Sequence, residues 1–246
     1  MDLGRGVGML PYEEQIPREQ YNIGERMKVY IVSVEQAPRG PQIILSRINS
    51  EVVRQVFTSE IPEIANGLIE IKGIAREPGA RSKVAVIAND DNVDPIGSCV
   101  GQRGTRVQTI ISELGGEKID IIEFSDDAAR FISNALSPAK VLTLDLNEDS
   151  HTAVATVAED QLSLAIGKGG QNVRLAAKLT GWNIDVRSES GDGIIDIDDV
   201  ASEDADDLGE GVSVAVVDDE VEEEPIMIDP AEADAIAPTD TEEVEK

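Results

Sequence analysis

The chain has 246 residues, of which 49 are acidic and 21 are basic, so its formal net charge is −28, and 41% of its residues are apolar. This length allows two or three small domains, and a single cysteine (Cys99) and a single histidine (His151) exclude an internal disulfide and a zinc site built from several such ligands. Because no apolar stretch is long enough for a membrane span or a signal peptide, we expect a cytoplasmic protein with no membrane partner.

The N-terminal part of the chain contains short strand-like segments that are separated by turns rich in glycine and proline. The strands are predicted at residues 5–10, 25–36 and 42–48. Short strands of this kind are typical of a small barrel such as an OB-fold, but three are too few to close one, so we predict a partial OB-fold over residues 1–48. Tyr12, Tyr21 and Tyr30 can offer a stacking face for bases or can pack inside the domain.

Two later segments, residues 83–121 and 152–186, repeat one pattern. Gly101 and Gly104 of the first copy correspond to Gly167 and Gly170 of the second, at an offset of 66 residues. Each copy predicts a strand, a short helix, a Gly-x-x-Gly sequence (GxxG), a longer helix and a last strand.

A further helix and strand are predicted ahead of each copy, so each unit has the order α-β-β-α-α-β of a compact α+β domain. These additional elements are predicted at residues 51–64, 68–75, 126–136 and 140–146. We predict the first domain at residues 49–125 and the second at residues 126–188.

A GxxG sequence between two helices is suited to hold a phosphodiester strand. Glycine has no Cβ, so a phosphate can approach the main chain, and the next helix presents its free N–H groups and positive dipole end. A helix–GxxG–helix loop that clamps about four nucleotides describes a KH module. One GxxG sequence alone is weak evidence, because a tight helix–helix turn also uses glycine, but here two occupy the same place in a repeat.

Acidic residues are absent from residues 95–112 and 161–184, although they make up a fifth of the chain. These two segments contain the basic residues Arg103, Arg106, Lys168, Arg174 and Lys178. Lysine and arginine neutralise phosphates and orient the strand, whereas any single one of them can equally lie on a solvated helix face. The repeated arrangement predicts binding to single-stranded RNA.

The strong acidity belongs to the C-terminal part of the chain. Residues 188–246 contain 23 acidic residues and one basic residue, a net charge of −22. Such a segment cannot bury enough apolar surface to offset its ordering entropy, so we predict a disordered acidic tail over residues 189–246. It can simply solvate the chain, or it can compete with RNA for the two segments that lack acidic residues.

Several distinct motifs resemble, in order along the chain, those of the NusA family of bacterial transcription termination and antitermination factors. They lie at residues 43–47, 61–64, 73–86, 94–108, 114–121 and 164–176. The resemblance implies an S1-type OB-fold followed by two KH domains of the prokaryotic type (type II), so the predicted fold class is α+β with a partial OB-fold, two tandem KH domains and an acidic tail. It also implies a non-enzymatic, monomeric protein that needs no cofactor or metal. Its function would be to contact nascent RNA, RNA polymerase and other elongation factors and to modulate pausing, termination and antitermination.

The resemblance also assigns the RNA-binding residues. The first clamp would consist of Gly101, Gln102, Arg103 and Gly104, with Arg106 beside it, and the second of Gly167, Lys168, Gly169 and Gly170, with Arg174 at the start of the helix. Family members begin with a polymerase-binding domain that this sequence lacks, so we expect a fragment or a truncated reading frame.

Two other RNA-binding functions compete with this interpretation: the RNA-binding appendage of a ribonuclease, and a ribosome-associated KH protein. Polynucleotide phosphorylase also joins a KH domain to an S1-type domain, but there a single KH domain precedes the OB-fold beside a large catalytic core. A GTPase would need a G-x-x-x-x-G-K-[ST] phosphate loop, which the sequence does not contain.

Overall fold

The computed structural model describes residues 1–38, 40–90 and 92–190, so nearly all of the predicted acidic tail lies outside the described residues. The described strands form three-stranded sheets, one in the N-terminal part and one in each repeat unit. The strands are β1 (Gly8–Met9), β2 (Tyr30–Ala37), β3 (Gly40–Ser46), β4 (Ile69–Glu77), β5 (Arg81–Ala88), β6 (Lys118–Glu123), β7 (Val141–Asn147), β8 (Thr152–Val157) and β9 (Asn183–Ser188). The helices are α1 (Ser50–Glu60), α2 (Pro62–Ala65), α3 (Pro95–Val100), α4 (Thr105–Glu113), α5 (Ala128–Ala135), α6 (Glu159–Ile166) and α7 (Gln171–Thr180). None of these helices is long and apolar enough to span a membrane.

The N-terminal sheet has the order β1-β3-β2, with β1 parallel and β2 antiparallel to β3. The first strand is only two residues long, shorter than the predicted 5–10, and Gly8 lies so close to β3 that a Cβ there would be 2.6 Å from Leu45 Cδ1. Val34 of β2 is 63% exposed and Met9 of β1 is 49% exposed. Apolar strand residues therefore remain open to solvent, and the partial OB-fold stays a prediction.

The first repeat unit places α1, α3 and α4 on one face of the sheet β4-β5-β6, with β4 antiparallel and β6 parallel to β5. Val84 and Val86 of β5 contribute to the buried core on this face. The helix predicted at 51–64 is in fact two helices. The chain breaks at Ile61, because Pro62 lacks an N–H and is accommodated only in the first turn of the new helix α2.

The second repeat unit has the same sheet topology and lacks a counterpart of α2 among the described residues. Its sheet β7-β8-β9 pairs β7 antiparallel and β9 parallel to β8, and α5, α6 and α7 pack on one face. The α-β-β-α-α-β order predicted from the repeat is therefore confirmed in the second unit, and the first unit differs from it by the additional short helix α2. The sheet of this unit buries alternate residues of β8, namely Ala153, Ala155 and Val157.

The two repeat units share a core. Ala85 of β5 and Ile122 of β6 belong to the same buried cluster as residues of the second unit. Gly73 of β4 is in contact with Leu179 of α7, so close that a Cβ at Gly73 would be 3.3 Å from Leu179 Cδ1. Lys83 of β5 is fully buried and donates a hydrogen bond of 2.9 Å to the carbonyl oxygen of Ser137. Strand β5 is thus buried on both faces, which fixes the second unit against the first.

Two buried arginines join the N-terminal part to the first repeat unit. Arg47 is ion-paired with Glu19 and donates a hydrogen bond of 3.2 Å to the carbonyl oxygen of Glu113 at the end of α4. Arg76 is ion-paired with the fully buried Glu117 at 3.0 Å and donates to the carbonyl oxygen of Arg47 at 2.9 Å. These cations therefore have a structural role and are not available to a polyanion.

Candidate nucleic-acid interface

The two GxxG loops have the same backbone conformation. The φ/ψ angles are 73°/174° at Gly101 and 78°/175° at Gly167, the first glycine of each loop. At the third position they are 55°/24° at Arg103 and 56°/36° at Gly169. Positive φ values favour glycine, yet Arg103 adopts the same left-handed conformation as its glycine counterpart. The sequence repeat is thus a repeat of loop geometry.

Each loop leads directly into a helix whose N-terminus has no side-chain cap. Gly104 precedes α4 and Gly170 precedes α7, both in the left-handed conformation, and no side chain caps either helix. The first N–H groups of α4 and α7 therefore lack a side-chain acceptor and carry the positive end of the helix dipole. This is the local geometry that an anionic phosphate group complements.

The predicted clamp residues on these loops differ in their exposure to solvent. Gln102, Arg103 and Lys168 are exposed, whereas Gly170 is buried beneath its loop. Among the residues that the structure describes, neither Arg103 nor Lys168 is part of an ion pair. These two cations are the ones that the described chain leaves available at the centre of the loops.

Arg106 and Arg174, which were also predicted at the clamps, are engaged within the chain. The Nη1 atom of Arg106 lies 2.9 Å from a carboxylate oxygen of Glu63 on α2 and 2.6 Å from the carbonyl oxygen of Ser98. The Nε atom of Arg174 lies 2.9 Å from Oε1 of Glu77 on β4. Glu63 and Glu77 lie outside the sequence segments that lack acidic residues, so the sequence patterns gave no sign that they reach these loops.

Both carboxylates are stabilised in the ionised form. Burial raises the pKa of Glu77, but hydrogen bonds from Gln171 and Arg174 and the charge of Lys178 outweigh it, so its pKa is lowered overall. The pKa of Glu63 is lowered by a hydrogen bond from its own backbone N–H and by Arg106. Near neutral pH, the two glutamates therefore remain charged and hold the two arginines.

Two open cavities lie along helix α3 of the first unit. One, of about 550 Å³, is lined by Gly97 and Ser98 together with Gly101 and Gln102 of the first loop. The other, of about 520 Å³, is lined by Ile96 of the same helix, by β6, and by residues 137–141 of the second unit. The first cavity thus adjoins the first loop, and the second lies where β6 meets the second unit.

The three tyrosines do not form a single stacking face. The hydroxyl of Tyr21 accepts a hydrogen bond of 2.9 Å from the backbone N–H of Ile16, and burial together with Glu19 raises the pKa of Tyr21 to about 12. Tyr30 packs against the core of the first repeat unit. Tyr12 is 86% exposed. Of the three side chains, Tyr12 is therefore the one that is open to solvent.

Comparison with protein-family models identifies both repeat units. Residues 47–124 match the NusA-like first KH domain, and residues 128–192 match the NusA-like second KH domain. The prediction of two tandem KH domains is thereby confirmed.

Curated relatives and a solved structure are also similar to the chain. It is 52% identical over 190 residues to the transcription termination/antitermination protein NusA of Halalkalibacterium halodurans. This alignment covers 77% of this chain and 50% of that protein. It is also 52% identical over 184 residues to the protein of the same name from Thermus thermophilus. This alignment covers 75% of this chain and 48% of that protein. The chain thus spans about half the length of these relatives. A solved structure titled "Crystal structure of APE1850" is 25% identical and covers 56% of this chain and 95% of that one, with a TM-score of 0.41, which is too low to establish a shared fold.

Proposed function

Because the chain belongs to the NusA family through its two KH domains, we propose that it binds nascent single-stranded RNA and acts in transcription termination and antitermination. The observation that carries the proposal is the pair of GxxG loops with one backbone conformation. Each loop places an exposed cation, Arg103 or Lys168, beside a helix N-terminus that has no side-chain cap.

The proposed mechanism is positional. Backbone N–H groups between the glycines, at residues 102–103 and 168–169, bind phosphates, since those of residues 101, 104, 167 and 170 already donate to carbonyl oxygens within the chain. The cations add electrostatic attraction that does not depend on the base sequence. An RNA segment held in extended form by two KH domains is unavailable for hairpin formation until it is released. Retention or release of that segment would bias pausing and termination without any chemical step, so the chain acts as a binding protein and not as an enzyme.

The partners follow from the same proposal. RNA emerging from RNA polymerase is the ligand, the polymerase and other elongation factors are the protein partners, and the chain acts as a monomer in the cytoplasm. No cofactor is required, because phosphate recognition uses the main chain and the cations alone.

Charge reversal at the loops tests the proposal. A double variant, R103D/K168D, keeps the glycines and places carboxylates where the phosphates would lie. We expect affinity for a short unstructured RNA, measured by fluorescence titration, to fall by at least about tenfold, because two attractive contacts become repulsive. The control R26D/K118D changes the net charge by the same amount at two exposed residues, one in the N-terminal part and one on β6, that lie outside the loops. Equal affinities for both variants, with native circular dichroism, would contradict the proposal.

A further inference from the structure

The residue five positions after the first glycine contacts that glycine in both KH domains. In the first domain this residue is Arg106, and a Cβ at Gly101 would be 2.7 Å from its Cγ. In the second domain it is Asn172, and a Cβ at Gly167 would be 2.8 Å from its Cβ. The following helix is thus packed directly on the first glycine of each loop, through side chains of different chemistry.

The two side chains also donate hydrogen bonds to carbonyl oxygens at equivalent positions of the repeat. Nη1 of Arg106 donates to the carbonyl oxygen of Ser98, three residues before Gly101, at 2.6 Å. Nδ2 of Asn172 donates to the carbonyl oxygen of Leu164, three residues before Gly167, at 3.3 Å. Each side chain therefore ties the end of the helix before the loop to the start of the helix after it.

The partners that hold Asn172 and Arg106 in place differ between the two domains. Asn172 is 1% exposed, and its amide also donates to the carbonyl oxygens of Leu136 and Ala165 at 3.0 and 2.9 Å. Arg106 is one-third exposed and is held by the carboxylate of Glu63, with its Nη1 atom 2.9 and 3.1 Å from the two oxygens. A buried neutral amide in the second domain is thus replaced by a partly exposed ion pair in the first.

We propose that Arg106 and Asn172 are equivalent positioning residues for the two loops, and that Arg106, held by Glu63, acts on RNA through loop geometry and not as a phosphate ligand. Asn172 carries no charge and is buried, so its position in the repeat does not require a cation. This inference rests on the proposed function, because loop geometry affects RNA affinity only if the loops bind RNA.

Removal of the Glu63 charge should change RNA affinity in opposite directions, depending on whether Arg106 contacts phosphate or positions the loop. If Arg106 contacts phosphate, E63Q frees its guanidinium group and removes a repulsive charge, so RNA binds more tightly. If Arg106 positions the loop, E63Q weakens its anchor and RNA binds less tightly despite the lost negative charge. We expect E63Q to weaken binding about two- to fivefold, the range for loss of a partly exposed ion pair.

The matched control is E70Q, which removes the same charge from an exposed glutamate on β4 that pairs with Lys72. E70Q should bind RNA as the wild-type chain does or slightly more tightly. Circular dichroism of E63Q and E70Q establishes that both retain the fold. An affinity of E63Q equal to or above that of E70Q would overturn the positioning role.

A second measurement tests the positioning role of Arg106 in the absence of RNA. In backbone NMR spectra of the free chain, E63Q should shift the amide resonances of residues 101–104 and leave those of 167–170 in place, because Asn172 holds the second loop independently. Unshifted resonances at 101–104 would also overturn the proposal. If the wild-type chain binds no RNA, the proposed function fails, and these resonances alone decide the positioning role.

Discussion

The carboxylate of Glu77 on strand β4 of the first KH domain binds the guanidinium group of Arg174 on helix α7 of the second, with Oε1 and Nε 2.9 Å apart. Gln171, in the first turn of α7, donates to the other oxygen of Glu77 at 2.6 Å. Arg174 in turn donates to the carbonyl oxygen of Gly169 at 3.1 Å. One glutamate of the first domain is therefore connected, through a single arginine, to the GxxG loop of the second.

This connection predicts a loss of stability in E77Q. The variant keeps a polar side chain but loses the charge that binds Arg174, and about 1 kcal/mol of unfolding free energy should be lost, as for a charged hydrogen bond that is partly solvated. Urea unfolding measures the change. E70Q, on the same strand, carries the same substitution at an exposed site and should remain within about 0.5 kcal/mol of the wild-type chain. Equal stabilities of E77Q and E70Q would contradict the prediction.

The Glu19–Arg47 pair predicts a specific loss of stability in acid. Burial raises the pKa of Glu19, but hydrogen bonds from Arg47 and Tyr21 and the charge of Arg47 outweigh it, so its pKa is lowered from the usual value of 4.5. A carboxylate with a lowered pKa contributes stability that is fully present above its unfolded pKa and is lost as pH falls through its folded pKa.

E19Q should therefore be less stable than the wild-type chain at pH 7, and the difference should shrink as the pH falls below about 4.5. Thermal unfolding at a series of pH values measures it. E13Q, which removes the same charge from an exposed site within the 3₁₀ turn Tyr12–Glu14, serves as the control. A difference between E19Q and wild type that is independent of pH would contradict the assignment.

Cys99 should be unreactive in the folded chain. It is fully buried on α3, and burial, with smaller contributions from nearby charges, raises the pKa of its thiol to about 12. The thiolate is the reactive form, so a thiol reagent at pH 8 should modify Cys99 only after urea unfolds the chain. Rapid modification without urea would show that α3 opens readily, which would argue against a rigid first loop.

The predicted acidic tail, residues 189–246, should affect RNA affinity in a way that depends on salt concentration. These residues contain 23 of the acidic residues and one basic residue, and exposed cations remain at the two loops. If this segment competes with RNA, its deletion should tighten RNA binding by about threefold or more at low salt and have little effect at high salt, where charges are screened. Fluorescence titration at several salt concentrations measures the effect. No change at low salt would leave only a solvating role.

The sequence predicted the paired loops better than the contacts made around them. Gly101 and Gly167 were matched at an offset of 66 residues, and the loops around them adopt one conformation, because a positive φ and a nearby side chain constrain the local sequence strongly. Glu63 and Glu77 were missed because they reach the loops from other elements, and no local pattern shows which carboxylate will arrive there.

Buried cations were missed for the same reason. Arg47, Arg76 and Lys83 look like solvated basic residues in the sequence, but each is paired inside the chain with a partner at least 28 positions away. Burial of a charge depends on such pairing, which is a property of the tertiary structure. The break at Pro62 is a different case, since the proline was visible and the predicted helix simply ran through it.

The most direct test of the RNA interface is a backbone NMR titration of the intact chain with a short unstructured RNA. The account predicts that the largest amide shifts occur at residues 101–106 and 167–172, in both loops and in the first turns of α4 and α7. Shifts confined to the N-terminal sheet, or to only one of the two loops, would contradict the claim that both loops bind one strand.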